Sequence, residues 1–246
     1  IRDHAWFVAY APAEKPVISA YLPNYDPPDT RDYPPGHLLR IRVRQFGNAR
    51  DPQLLHLTGQ FVPLTDGERA GLYPSPFAIA NFLFSRAATF AEVPPDPHFH
   101  FYGDELSYSA RLWTHGYDIF QPDRVVTFHY WVRKATLHLQ HYRDTRTEKS
   151  RLALARGLHL LRLRASDDRQ ALAEIGRYGL GDVRPLKDLW AFAGIDWKRR
   201  AIAPQALEGK WNMAARKKAG KKPLKPDGKN AGTLPRIFVQ IASYRD

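Results

Sequence analysis

The sequence has no cysteine and a single methionine. The first absence removes disulfides, thiolate nucleophiles and Cys-ligated zinc or iron–sulfur centres together. There is also no stretch near the roughly 18–20 uninterrupted apolar residues that a membrane helix needs. Residues 1–20 lack the basic, apolar and small-residue order of a signal peptide. A soluble, cytoplasmic chain without membrane contact is therefore expected. Acidic charge is in short supply as well: 25 Asp and Glu stand against 37 Lys and Arg, leaving a net +12.

What is present is enough to build a core. The 246 residues are 43% hydrophobic, with 13 Phe, 12 Tyr and 6 Trp, so burial can offset chain entropy and wholesale disorder is excluded. The positive charge is unevenly spread. Eight of the basic residues fall between Lys210 and Lys229 against the single acid Asp227, which is seven of the twelve net charges. Gly220, Pro223, Pro226, Gly228 and Gly232 interrupt the same segment, so a solvated connector explains it better than a nucleic-acid surface.

Periodicity gives a coarse map. Residues 15–22 form a short β-rich run stopped by Pro23, and 23–36 read as an irregular Pro- and Asp-rich excursion. From His37 to Phe46, Leu39, Ile41 and Val43 alternate with Arg40, Arg42 and Arg44, a strand period that ends in a turn at Gly47 and Asn48. Another strand is expected over 54–63, and the apolar stretch Phe77–Phe90 belongs to the core. Asp104–His115 reads as a helix with two acids in its first turn and Gly116 just past its end. The run from Val125 to Val132 is the strongest β signal and is expected to be the last strand of the fold. Helices follow over about 147–164, 167–177 and 186–192.

The window that could carry chemistry runs from Val93 through Gly103, Asp104 and Glu105 to Arg111, Trp113, His115, Asp118 and His129. Two adjacent carboxylates where a loop enters a helix can both cap backbone N–H groups, or one can cap while the other faces a cleft. His129, ending a buried run, is read from its position alone as a satisfied core residue more readily than as a ligand. Arg111 could pair with a phosphate or an acid, Trp113 could stack on a sugar or pack in the core, and Asp118 reads as structural.

The same window is similar to a glycosyltransferase family, that of the Skp1 hydroxyproline polypeptide N-acetylglucosaminyltransferase and its bacterial relatives. The likeness rests on Glu92-Val-Pro94, Asp96-Pro97, Phe101-Tyr-Gly103-Asp104-Glu105, Ala110-Arg-Leu-Trp-Thr-His-Gly-Tyr-Asp118, Pro122, Phe128-His129 and Arg133. Pro95 replaces a usual Tyr and Asp104 a usual Glu. The C-terminal Ile237-Phe-Val-Gln-Ile-Ala-Ser-Tyr-Arg-Asp246 resembles the first strand of the same family, so the beginning of the fold follows its end.

The resemblance implies an α/β chain: a partial Rossmann-like GT-A sheet with a C-terminal helical tail. It also implies a retaining transfer of N-acetylglucosamine from UDP-N-acetylglucosamine to a protein hydroxyl of the hydroxyproline kind or to a glycan. A divalent metal, Mn²⁺ or Mg²⁺, is implied with His129 as one ligand, while its first carboxylate ligands lie upstream of residue 1. The fragment alone is therefore expected to be inactive. Asp104 and Glu105 are carried over as catalytic acids, and Gly103, Arg111, Trp113 and His115 as substrate-binding residues. The expected organisation is the C-terminal part of one transferase domain over 1–197, a basic linker over 198–235 and the first strand of a second domain over 236–246. A tandem arrangement is preferred to a circular permutant. Two other classes compete with this reading. His98, His100 and Glu105 imitate a cupin ligand run, and the Lys210–Lys229 segment is the basis of a nucleic-acid reading.

Overall fold

The computed structural model describes residues 13–26, 30–32, 34–48, 51–65, 71–99, 103–130, 147–219 and 238–239. In chain order these form β1 (Pro16–Ser19), β2 (Asn24–Asp26), β3 (Thr30–Asp32), β4 (His37–Asn48), β5 (Asp51–Pro63), β6 (Tyr73–Ser75), β7 (Leu83–Ser85), α1 (Ala87–Glu92), α2 (Asp104–Thr114), β8 (Asp118–Gln121), α3 (Glu148–Leu160), α4 (Leu186–Ala193), β9 (Ile195–Asp196), β10 (Ala201–Ile202), α5 (Pro204–Leu207), α6 (Met213–Ala219) and β11 (Phe238–Val239). The architecture is mixed α/β, a partial Rossmann-like sheet with helices around it.

The main sheet has the order β11-β7-β1-β8-β6. Its centre is the parallel pair β1 and β8, with Val17 opposite Ile119. The flanking pairings to β7, β6 and β11 are antiparallel. Parallel strands need a crossover, and α2 supplies one. A short turn through Gly116 sends the chain from α2 back along the sheet into β8, so the N-terminus of α2 lies at the carboxyl end of β8 and β1. Side-chain contacts agree with that direction. Lys15, just before β1, donates to the carbonyl of His115 at the far end of α2.

The helix α2 is buried without interruption from Leu106 to Thr114. Leu106, Ala110 and Trp113 face a core built with Phe77, Ile79, Leu189 and Phe192. Tyr108 and Leu112 face the second cluster with Val17, Tyr117 and Ile119. Both ends are set by glycine. Gly103 opens the helix at φ 86°, and Gly116 closes it at φ 88°, where a side chain is strained and a Cβ would also meet Val183 at 3.0 Å. Gly116 donates to Trp113 and Tyr117 to Leu112, the paired bonds of a left-handed helix stop.

The remaining elements flank this unit. β4 and β5 make a long antiparallel ribbon that buries Ile41 and Val43. The third helix starts at Thr147, whose hydroxyl accepts from the Ser150 N–H.

Several expectations need correction. The Val125–Val132 run is not a strand over its described part. Pro122 ends β8, and the chain rejoins the β1 side only at His129, through an isolated bridge to Asn24. There His129 donates to the Pro23 carbonyl and accepts from the Tyr25 N–H. The expected helix over 167–177 does not form: residues 169–178 make consecutive turns, because Glu174 adopts φ 50° and the Ala171 and Ala173 carbonyls are taken by Arg156. Two short strands, β2 and β3, lie in the stretch read as irregular, and Asp118 begins a strand. Residues 201–219 carry β10, α5 and α6 and bury Ala206 and Trp211 in the core, so packed structure extends past 197. The rest of the expected connector, 220–235, lies outside the described residues.

Candidate functional site

Gly103 opens α2, and in the first turn of the helix Asp104 and Glu105 stand side by side. Glu105 reaches across to the segment after β6. Its Oε1 accepts from the Ala80 N–H at 2.8 Å. The neighbouring Ile79 N–H donates to Ser19 Oγ at 2.7 Å, and Ser19 ends β1. Glu105 is thereby fixed beside the carboxyl end of the central parallel strands, the place where open α/β sheets bind ligands. Asp104 differs: its carboxyl is met by backbone N–H groups of its own turn, those of Asp104 and Glu105.

Burial dominates the electrostatics here. It pushes the Glu105 carboxyl up to about 8, with the neighbouring Asp104 charge adding to the rise and the Ala80 hydrogen bond opposing it. Asp104 is raised for the same first reason, with its two backbone hydrogen bonds opposing. Two like charges this close do not both ionise at neutral pH, so the pair holds one proton between them. The helix N-terminus favours the remaining negative charge.

His129 lies on the same edge of the sheet, past the carboxyl ends of β1 and β8, where its backbone joins Pro23 and Tyr25. A shallow crevice there is lined by Ala20, Tyr21, Pro23, Leu39, Pro122 and Arg124. The structure thus brings Gly103, Asp104, Glu105 and His129 to one edge. It does not bring Arg111, Trp113 or His115 there. Trp113 is 3% exposed, stacks on Phe192 and donates Nε1–H to the Pro185 carbonyl. His115 donates from Nδ1 to the Arg111 carbonyl at the opposite end of the helix. Arg111 is 1% exposed and donates to the Pro94 carbonyl at 2.7 Å.

Sequence reasoning missed two participants. The Ala80 N–H is a backbone group that no motif marks. Arg156 was hidden among the leucines of α3, although a basic residue in line with Ala153 and Leu160 on the buried stripe was a readable signal. For the expected divalent ion, His129 is a single candidate ligand. Among the described residues no three His, Asp or Glu side chains come together, so they do not by themselves fit a metal. His98 faces Glu174 at 3.1 Å, not Glu105, and His100 lies outside the described residues, so the cupin reading gains nothing. Among the described residues no helix is long and apolar enough to cross a membrane.

The model of the family described as Glycosyltransferase (GlcNAc) matches residues 4–199. No curated protein and no solved structure matches the chain.

Proposed function

The chain belongs to the glycosyltransferase (GlcNAc) family, and from that premise we propose that it serves the transfer of N-acetylglucosamine from UDP-N-acetylglucosamine to a hydroxyl group, with Asp104 facing the transferred sugar. The acceptor in this reading is a protein hydroxyl of the hydroxyproline kind or a glycan hydroxyl. The observation that carries the assignment of roles is the unequal tethering of the acid pair. Glu105 is committed to the Ala80 N–H across the fold, while the Asp104 carboxyl is met by backbone N–H groups of its own turn, and in this reading it is Asp104 that faces the sugar.

The chemistry follows from that inequality. Asp104 accepts hydrogen bonds from sugar hydroxyls and places one negative charge where positive charge develops at the anomeric carbon. Glu105 carries the shared proton, so the site bears one charge rather than two, and its bond to Ala80 fixes the first turn of α2 against the strand edge. Trp113 and His115 have no part in this reading, since they support the helix from its other end. A retaining outcome and dependence on Mn²⁺ or Mg²⁺ belong to the same proposal, with His129 as the one described residue carried as a ligand.

The test uses the full-length protein with UDP-N-acetylglucosamine, following sugar release and transfer in the presence of Mn²⁺ and after chelation. Asp104→Asn should lower turnover by about 10²–10³-fold, the scale of removing one charge-stabilising group, while the protein remains folded by circular dichroism. Wild-type turnover retained in Asp104→Asn, or a wild-type protein that binds no UDP-sugar, overturns the reading.

A further inference from the structure

We propose that Asp96, Arg111 and Arg156 form a buried clamp that positions residues 94–99 and, through the packing of Phe99 on Gly103, the Asp104–Glu105 pair; as a statement about catalysis this rests on the transferase reading above. Arg156 sits in the middle of α3 with its side chain fully buried and donates from Nε to Asp96 Oδ2 at 2.7 Å. Its Nη1 donates to the Ala171 and Ala173 carbonyls, both at 2.8 Å, which ties the turns of 167–177 to the same point. The other Asp96 oxygen accepts from the His98 N–H at 3.0 Å and bends the loop. From the opposite side, Arg111 on α2 holds the Pro94 carbonyl. The loop is thus gripped at its start by two helices.

The grip is passed on to the acids by packing. The Phe99 ring lies against both Gly157, next to Arg156 on α3, and Gly103, which opens α2. A Cβ would approach that ring at 3.5 Å from the first and 3.3 Å from the second. Any retreat of the loop from α3 shifts Phe99, then Gly103, then the two carboxylates. Tyr178, 5% exposed, fills the space between the guanidiniums, 5.5 Å from Arg111 and 6.0 Å from Arg156.

The charge balance argues that this cluster is not there for stability. Arg156 pairs with one buried carboxylate and Arg111 bonds a carbonyl, and among the described residues Arg111 Nε and Arg156 Nη2 are buried without hydrogen-bond partners. Apolar side chains of similar volume would fold at lower cost, whereas directional bonds fix a loop in one place.

The test pairs activity with a readout that needs none. Amide exchange at Ala80 reports the Glu105 hydrogen bond directly. In Asp96→Asn, Ala80 protection should fall at least about tenfold more than that of the Ile18 amide in the central strand, the pattern of local opening. The double variant Asp96→Asn/Arg156→Met, which removes the buried charge of both partners, serves if the single variant does not fold. Arg184→Met, which breaks an ion pair at the far end of α2, controls for general destabilisation and should leave Ala80 unchanged relative to Ile18. With UDP-N-acetylglucosamine, kcat should fall by about 10²-fold, the scale of a 1 Å misplacement, with donor KM nearly constant and partial recovery in Asp96→Glu. In an Asp104→Asn background the same clamp variant should cost almost nothing further in rate. Ala80 protection that merely follows global stability, equally in the clamp variants and in Arg184→Met, overturns the clamp. A wild type that binds no donor overturns the transferase reading, and the exchange result still decides the clamp.

Discussion

The two ends of α2 belong to one unbroken motif, yet they are built on opposite principles. At the N-terminal end two half-buried acids stand with no cation beside them among the described residues, and backbone N–H groups meet their charge. At the C-terminal end charge is matched. Asp118 accepts from Arg184 at 3.0 Å and from Arg216 at 3.2 Å, and Thr114, His115 and Gly116 bond back onto the helix. The helix is 11 residues long, so about 16 Å separates the two. A family motif read along the sequence therefore holds the end where the proposed chemistry sits and a structural end, and adjacency in the chain does not place Trp113 beside Asp104.

The largest effect is expected at the structural end. Trp113→Ala empties a site where the indole stacks on Phe192, carries Arg184 over its face at 4.7 Å and donates to the Pro185 carbonyl. It should cost about 3–5 kcal/mol, the range for a buried aromatic truncated to Ala, seen as a lower urea midpoint. Full stability in this variant would break the division between the ends.

Next comes the contrast between two aspartates, one at each end. Asp118→Asn leaves two partly buried guanidiniums short of a carboxylate and should lower stability by about 1–3 kcal/mol, with turnover per folded molecule retained. Asp104→Asn should do the reverse, losing turnover while keeping or raising the urea midpoint. The same pattern in both variants would erase the comparison.

Glu105 gives a smaller effect with a definite sign. Its carboxyl is raised from an ordinary 4.5 to about 8, so the folded state holds a proton that the unfolded state gives up. Stability must then fall as pH rises between those values. A tenfold difference in proton affinity between the two states is worth at most about 1.4 kcal/mol, and the shared proton divides the effect between the two acids. Wild type should therefore lose on the order of a few kcal/mol from pH 5 to pH 8 relative to Glu105→Gln. Urea titrations at both pH values measure it, and parallel curves would show the pair to be solvated.

How much of this was legible in the sequence depends on how local the cause is. The alternation in 37–46, the acids and Gly116 that bound α2, and the helix start near residue 147 follow from neighbours in the chain, and the structure keeps them. The expected strand at Val125–Val132 failed because Pro122 releases the chain from the sheet, leaving one bridge at His129. The helix over 167–177 failed because a guanidinium from α3 takes two of its carbonyls, a cause that lies 15 and 17 residues away. In the site, the acid pair was readable as a pair. Its unequal tethering was not, because the deciding partner is the Ala80 N–H, contributed by a residue 25 positions upstream.

The smallest effect sharpens the comparison through pH. Glu92, beside the C-terminal end of α2, receives Lys15 Nζ at 2.6 Å on one oxygen and the Tyr117 hydroxyl at 2.7 Å on the other. These hydrogen bonds, that from Lys15 first, hold its carboxyl below the ordinary 4.5, the opposite direction to Glu105. A depressed carboxyl adds stability that is complete above its unfolded value and is lost as pH falls through its folded value. Glu92 and Lys15 are 42% and 33% exposed, so solvent and salt screen the pair and Glu92→Gln should cost less than about 1 kcal/mol at pH 7. The difference between wild type and Glu92→Gln should close below pH 4.5, whereas that between wild type and Glu105→Gln should open above it. One helix then imposes opposite pH slopes from its two ends, and the wild-type stability curve should turn over near the ordinary carboxylate range. A Glu92→Gln difference that grows toward acid pH would mean that its contacts hold the neutral carboxyl, and the contrast between a matched end and an unmatched end would fail at its simplest point.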